Sequence, residues 1–139
     1  MKPTIMKNKN SALDTNVLIY LHDQSDPHKR QVTKELLADN PKIPAQVVSE
    51  YLNTCRRLLK LSKAELLIQT AELLTDCVII PVLPDTLRYA ADLISRYQFQ
   101  LFDSIIVATA IEGDCDILYS EDMQHQLVVD KRITINPFL

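Results

Sequence analysis

The sequence has almost no glycine, because Gly113 is the only one among its 139 residues. A dinucleotide-binding fingerprint needs three glycines and a Walker phosphate loop needs two, since backbone amides must approach the phosphates without a Cβ in the way. The composition therefore excludes both phosphate-binding loops. If this chain handles phosphate groups, it must bind them through side chains or metal ions.

Basic excess, paired cysteines and long apolar runs are also missing. Fifteen Lys and Arg against eighteen Asp and Glu give a net charge of −3, which disfavours a broad basic face for nonspecific nucleic-acid binding. The three cysteines are widely spaced without a zinc-ligand pattern, which is typical of reduced thiols in a cytoplasmic protein. No apolar run approaches the roughly 20 residues of a membrane helix, and the first ten residues show no secretory signal. We therefore expect a cytoplasmic protein without membrane association.

Length and hydrophobicity predict a single folded domain. The chain has 139 residues, of which 47% are apolar, and this is enough to build one core of ordinary size. Residues 1–10 are basic and polar, and we expect them to form a flexible N-terminal segment. Residues 11–139 are then expected to form the domain.

Short apolar segments alternate with helical patterns along this domain. We predict strands at 11–14, 42–43, 77–80, 117–119 and 132–135, with the run at 77–80 buried on both faces of the sheet. Helices are predicted to start at Thr15, Pro27, Pro44 and Lys63, and a fifth is capped by Asp85. A sixth, at 102–112, is apolar on nearly all sides and ends at Gly113 as a C′ residue. This alternation predicts an α/β fold with a parallel sheet and helices on its faces.

Four acidic residues occupy positions where such a fold gathers its functional groups. Asp14 and Asp122 follow predicted strands, and functional groups of parallel sheets lie beyond the carboxyl ends of the strands. Glu50 lies on the third helix beside its apolar stripe. Asp103 shares a face of the most apolar helix with Ile106, where an ionised carboxylate needs a cation to offset the cost of burial.

Each of these acids, taken alone, also has a purely structural interpretation. Asp103 is compatible with a helix N-cap, and Glu50 with an ordinary solvated helix face. Asp14 and Asp122 are compatible with turn formation at strand ends. The surrounding sequence favours the functional interpretation.

Four segments together resemble the PIN domain in order and spacing, over about residues 11–139. They read LDTNVLIY (Leu13–Tyr20), SEYLN (Ser49–Asn53), LFDSIIVATA (Leu101–Ala110) and LYSED (Leu118–Asp122). Single-domain PIN proteins of this size are similar to VapC-type toxins, the ribonuclease halves of bacterial toxin–antitoxin pairs. The resemblance implies a three-layer α/β/α sandwich with a central parallel sheet. It also implies a Mg²⁺- or Mn²⁺-dependent endoribonuclease that hydrolyses RNA phosphodiester bonds.

The resemblance implies a catalytic and metal-binding quartet made of Asp14, Glu50, Asp103 and Asp122. Clustered carboxylates repel one another and form sites for hard divalent cations, which prefer oxygen ligands. We expect Asp14 and Asp103 to bind the metal directly, and Glu50 and Asp122 to complete its coordination partly through water. The resemblance also implies that the fourth acid, Asp122, is the least constant of the four metal contacts in the family.

Three polar residues are supporting candidates. Asn16 and Ser120 match family positions that orient the acids or a bound water, and Thr15 is a weaker match to the same role. The sequence departs from its relatives at Met123–Gln126, which lacks the glycine that related sequences often carry. We therefore expect the loop after the last acid to differ in shape.

The densest basic cluster is a candidate for RNA binding. It consists of Arg56, Arg57, Lys60 and Lys63, of which Arg56, Lys60 and Lys63 are spaced to form one helical stripe. A solvated helix surface and contact with an acidic antitoxin segment remain open as alternatives. The expected partners are an RNA substrate, a cognate antitoxin protein and a second copy of the chain in a homodimer.

Two other classes of function compete with the nuclease. A catalytically silent PIN-type protein that binds RNA or acts as a scaffold is the main alternative, and the intact acidic quartet disfavours it. An α/β phosphatase of the haloacid dehalogenase type requires a second Asp where Asn16 stands, and a phospho-acceptor receiver requires paired acids that are not found.

Overall fold

A computed structural model describes residues 10–139 of the chain. Most of the flexible segment predicted for residues 1–10 lies outside these described residues. The strands are β1 (Ser11–Leu13), β2 (Ile43–Pro44), β3 (Ile79–Ile80), β4 (Ile117–Tyr119), β5 (Val128–Val129) and β6 (Arg132–Ile135). The helices are α1 (Thr15–Ile19), α2 (Pro27–Ala38), α3 (Ala45–Leu58), α4 (Lys63–Leu73), α5 (Pro84–Tyr97) and α6 (Leu101–Glu112), with a 3₁₀ turn at Tyr20–His22.

The strands form a mainly parallel sheet. Four of them pair in the order β1-β4-β6-β5, in which β5 alone runs antiparallel. Strands β2 and β3 pair in parallel, and a bridge between Ala12 and Lys42 joins them to β1. The predicted three-layer α/β/α sandwich is confirmed. Since β1 and β4 are neighbours with Leu13 opposite Tyr119, the residues that follow them emerge at the same edge of the sheet.

The core lies between the sheet and the helices that cover it. Its largest fully buried side chains include Leu13 and Tyr119 from the sheet, and Leu18, Leu93 and Ile106 from the helices. Within the described part of the chain, no helix combines the length and the apolar composition of a membrane span. The core therefore depends on side chains contributed from both ends of the sequence.

Helix α6 is buried as predicted, except in its first turn. Every residue from 106 to 110 is buried, which agrees with a central helix that is apolar on all sides. Leu101 and Phe102, however, are 62% and 53% exposed. The helix enters the protein from its surface, so only its later turns are covered.

The prediction of a strand buried on both faces at 77–80 is wrong. Only Ile79–Ile80 pairs as β3, and Val78 and Ile79 are 60% and 48% exposed. The reason is position, because β3 pairs only with β2 and lies at the edge of the sheet. The short hairpin strand β5 was not predicted at all.

The ends of two helices also differ from the prediction. Leu83, not Asp85, is the N-cap of α5, and its backbone N–H donates a hydrogen bond of 3.0 Å to Thr86 Oγ1. Gly113 caps α6 with an ordinary φ of −81°, while Asp114 takes the left-handed conformation with φ 59°. A Cβ at this position would overlap the Ile80 side chain, so any larger residue would require Ile80 to shift.

Candidate metal-binding acidic cleft

Asp14 occupies the carboxyl end of β1 and is buried, with 4% of its surface exposed. It is also the N-cap of α1, where its Oδ1 accepts a hydrogen bond of 2.7 Å from the Thr15 backbone N–H. The fully buried Ser120 follows β4 next door and donates from Oγ to Asp14 Oδ2 over 2.8 Å. The pairing of β1 with β4 thus fixes the orientation of this carboxylate.

Thr15 and Asn16 connect Asp14 to the other acidic segments. Thr15 Oγ1 donates a hydrogen bond of 2.6 Å to Glu50 Oε2, which holds the first turn of α1 against α3. Asn16 Nδ2 lies 3.4 Å from Asp14 Oδ2, and Asn16 Oδ1 accepts a bond of 3.1 Å from the Glu121 backbone N–H. Thr15 and Asn16 therefore each contact one of the four acids, as expected of residues that orient the acids.

Asp103 is the third residue of α6, whose N-cap is Gln100. The alternative interpretation of Asp103 as an N-cap is therefore wrong. Its half-buried carboxylate lies in the first turn, where the unpaired N–H groups of a helix favour negative charge. Asp122 lies in the loop after β4 and is exposed.

The four predicted acids line one cleft of about 370 Å³. Asp14 follows β1, Glu50 lies on α3, Asp103 lies on α6 and Asp122 lies in the loop after β4. The complete lining is Asp14, Thr15, Asn16, Ile19, Glu50, Asn53, Thr54, Asp103 and Asp122. No Lys, Arg or His belongs to this described lining, so the cleft concentrates negative charge.

Burial, together with the neighbouring negative charges, raises the pKa of two carboxyls in the cleft. Burial is the main cause that raises the pKa of Asp14 to about 6, and the charges of Asp103 and Glu50 add to it. The hydrogen bonds from Ser120 and the Thr15 amide act in the opposite direction without cancelling the effect. Burial, Glu50 and Asp122 likewise raise the pKa of Asp103. An added cation would favour the ionised form of both carboxyls, because it would offset the cost of burying their charge and the repulsion between them.

The donor set of the cleft fits a hard divalent cation. Every polar group in the lining presents an oxygen or an amide, which suits Mg²⁺ or Mn²⁺ better than softer metals. Among residues 10–139, no three carboxylates converge closely enough to form a ready-made cage for an ion. Mg²⁺ does not require one, because it keeps several waters and typically binds one or two carboxylates directly.

Two polar residues of the lining, Asn53 and Thr54, were not predicted from the sequence. They lie three and four positions after Glu50 on α3, which places them on the same helix face. That spacing was available in the sequence. Asn and Thr are common on helix surfaces without any function, so this spacing alone does not single them out.

The four basic candidates separate into two pairs. Arg56 and Lys63 line a second groove, of about 390 Å³, between α3 and α4, and this groove shares Asn53 with the acidic cleft. Arg57 and Lys60 are exposed and are not part of its lining. The predicted single stripe is wrong, because α3 ends at Leu58 and Lys63 begins a new helix.

The α/β fold described above is also found in solved structures of toxin–antitoxin systems. A toxin–antitoxin complex from Klebsiella pneumoniae superimposes with a TM-score of 0.70 and 21% identity, covering 92% of this chain and 98% of that one. VapC20 of Mycobacterium tuberculosis is described as a toxin that cleaves the sarcin–ricin loop. It superimposes with a TM-score of 0.65 and 18% identity, covering 81% of this chain and 90% of that one. VapBC2 of Rickettsia felis, bound to a promoter DNA fragment, superimposes with a TM-score of 0.64 and 20% identity, covering 89% of this chain and 96% of that one.

At these identities, the structural matches establish the fold and nothing further. The model of the PIN domain family matches residues 12–131. This match spans most of the chain, so the protein belongs to the PIN domain family. A search of curated proteins gave no match.

Proposed function

We propose that this protein is a metal-dependent endoribonuclease that hydrolyses RNA phosphodiester bonds, as the toxin of a VapBC-type toxin–antitoxin pair. The observation that carries the proposal is the cleft lined by Asp14, Glu50, Asp103 and Asp122, whose lining contains no basic residue. Membership of the PIN family and the resemblance in fold to VapC20 support it.

The cleft supplies what phosphodiester hydrolysis requires of the protein. We propose that Asp14 and Asp103 bind Mg²⁺ or Mn²⁺ directly and that Glu50 and Asp122 act partly through water. A bound ion of this kind lowers the pKa of its water and neutralises charge on the phosphate. Ser120 and the Thr15 amide hold the Asp14 carboxylate in a fixed orientation, and Thr15 Oγ1 does the same for Glu50.

The groove between α3 and α4 is proposed to bind the RNA next to the scissile bond. Leu52, Leu66 and Leu67 provide apolar surface for a base, and Arg56 and Lys63 provide positive charge for phosphates. Because the groove shares Asn53 with the acidic cleft, a strand bound there would continue directly to the carboxylates. Arg57 and Lys60 lie outside this path.

We further propose an antitoxin and a second copy of this chain as protein partners. The Klebsiella and Rickettsia structures are described as complexes with an antitoxin or as a VapBC pair, which supports the first. The second copy of the chain could bind a surface of exposed apolar side chains that lie within ten positions of one another, namely Val78, Ile79, Leu83 and Leu87. Sedimentation of the purified protein would contradict the homodimer if only monomer is found, and copurification with the product of an adjacent reading frame tests the antitoxin.

The proposed location is the cytoplasm, where RNA is available and thiols stay reduced. Cys55, Cys77 and Cys115 are all free. Fractionation of cells that express the protein would contradict this proposal by finding it outside the cytoplasm.

Replacing Asp103 by Asn tests the nuclease. The change keeps the size of the side chain and removes one charge from a repulsive cluster, so we expect the fold to remain stable. The rate of RNA cleavage in Mn²⁺ should fall by at least about a hundredfold. Even the loss of a residue that only hydrogen-bonds to a metal ligand lowers metal affinity or activity 10- to 100-fold. The readout is cleavage of labelled RNA with and without a chelator, followed by sequencing of the RNA ends.

The matched control is Asp85→Asn, which changes an exposed acid in the first turn of α5. This variant should cleave RNA like the unaltered protein. Cleavage that survives Asp103→Asn would refute the assignment of the site. Binding of RNA by the unaltered protein without any cleavage would favour the catalytically silent scaffold instead.

A further inference from the structure

A fifth acid, Glu121, lies beside the acidic cleft but does not line it. Its Oε2 forms an ion pair of 2.5 Å with Lys29 Nζ of α2, and the two side chains are only 23% and 28% exposed. Lys29 and Glu121 are 92 positions apart, so the pair fastens the loop after β4 to α2. The charge of this acid is therefore neutralised within the chain.

Tyr20 and Phe138 enclose the same ion pair. Tyr20 Oη donates a hydrogen bond of 2.7 Å to Glu121 Oε1 and accepts one of 3.2 Å from Lys29 Nζ. The Lys29 ammonium lies 4.8 Å from the centre of the Tyr20 ring and 5.3 Å from that of Phe138, and the two rings pack edge to face. Both oxygens of the Glu121 carboxylate are thereby occupied.

The loop held in this way carries two residues of the candidate site. Ser120 points to Asp14, and the Met123 backbone N–H donates a bond of 3.3 Å to Ser120 Oγ. The Glu121 backbone N–H donates to Asn16 Oδ1, while Asp122 faces the cleft. Successive residues of the loop thus contact the buried carboxylate, the ion pair, the cleft and the core.

We propose that Lys29 is a positioning residue, whose ion pair with Glu121 holds the loop so that Asp122, and not Glu121, faces the metal site. This inference rests on the proposed function. Two adjacent carboxylates would otherwise compete for one cation, and an unpaired Glu121 would add a fifth negative charge near the cleft. Loss of one partner from a partly buried ion pair leaves the other charge without its partner, which favours rearrangement of the loop.

Lys29→Met is the test, with Lys34→Met as its control. Methionine keeps the aliphatic length of lysine without the charge, and Lys34 is an exposed residue of the same helix. In Lys29→Met we expect hydrogen exchange at the Glu121 and Met123 amides to accelerate at least about tenfold, and the affinity for Mn²⁺ by calorimetry to fall 10- to 100-fold. Lys34→Met should change neither, and Lys29→Arg should restore both.

RNA kinetics separate positioning from general damage. If Lys29 acts through the loop, kcat falls while KM for RNA stays unchanged, because the groove lined by Arg56 and Lys63 is not disturbed. Exchange rates equal to those of the control would overturn the proposal, and so would a loosened loop with unchanged Mn²⁺ affinity. Failure of the unaltered protein to bind Mn²⁺ would overturn the proposed function instead, while the exchange rates still decide whether Lys29 fixes the loop.

Discussion

Replacing Asp14 by Asn should change how the stability of the metal-free protein depends on pH. The pKa of Asp14 is raised from 3.8 to about 6 in the folded protein, mainly by burial. Between these two values the native state therefore keeps a proton that the unfolded chain has lost. The free energy of unfolding must fall as the pH rises through this window, because the native state binds more protons than the unfolded state.

The shift also sets the size of the effect. A difference of one pKa unit corresponds to about 1.4 kcal/mol, so ionisation of Asp14 costs the metal-free protein about 3 kcal/mol by neutral pH. Most of this cost accumulates between about pH 4 and pH 7. The Asn variant lacks the titrating group and keeps an acceptor oxygen for the Thr15 amide. Its stability relative to the unaltered protein should therefore rise by about 2 to 3 kcal/mol across the window.

Urea unfolding followed by circular dichroism measures this difference at several pH values in the presence of a chelator. Using the difference between the two proteins removes the contributions of titrating groups that do not interact with Asp14. Adding Mn²⁺ at neutral pH should stabilise the unaltered protein and leave the variant largely unaffected. A stability difference that is independent of pH, or that shrinks as the pH rises, would refute the reasoning.

Two further predictions concern RNA binding and packing. The double variant Arg56→Ala, Lys63→Ala should weaken binding of single-stranded RNA. The slope of the logarithm of its binding constant against the logarithm of salt concentration should fall in magnitude by about 1.4, since each lost phosphate contact is worth about 0.7. The double variant Arg57→Ala, Lys60→Ala should have a smaller effect, and equal effects would refute the assigned groove. Gly113→Ala should lower the free energy of unfolding by about 1 to 3 kcal/mol, because its Cβ would overlap the Ile80 side chain. Unchanged urea unfolding of that variant would show that Ile80 moves aside without cost.

The sequence was sufficient for the centre of the fold but not for its edges. The predicted bounds of β1 and β4 agree with the structure nearly to the residue, because each is a short, mainly apolar run that polar residues end abruptly. The apolar run ending at Ile80 gave the opposite result, with Val78 and Ile79 exposed at the sheet edge. Apolar residues look alike in sequence whether they face a core or an outer surface.

Local capping was the least predictable part of the fold. Asp85 has the residue type of an N-cap, yet Pro84 already occupies the first position of α5 and Leu83 precedes it as the cap. Gly113 has the residue type of a left-handed C′ residue, yet Asp114 takes that conformation. In both cases a tertiary contact or a neighbouring proline decided the geometry, and residue type alone did not.

The sequence predicted which acids share the cleft, but it could not predict what positions them. Asp14 and Asp122 follow adjacent strands of a parallel sheet, so their proximity is a consequence of topology. The pair between Lys29 and Glu121 joins a helix face to a loop across 92 positions, without any periodic pattern that relates them. Ion pairs of this kind become visible only when the elements have been placed in space.

The treatment of negative charge elsewhere in the protein gives the strongest reason to expect a cation in the cleft. Arg96 binds Asp130 through two hydrogen bonds of 2.8 Å, Arg132 pairs with Asp116, and Lys29 pairs with Glu121. Among residues 10–139, no ion pair includes any of the four carboxylates of the cleft. Several acids outside the cleft are thus paired with a basic side chain, whereas Asp14, the most buried Asp among the described residues, has only the acids Asp103 and Glu50 as charged neighbours. This arrangement costs stability. Such local conflicts persist where function requires them, and the divalent cation that we propose for the cleft would resolve this one.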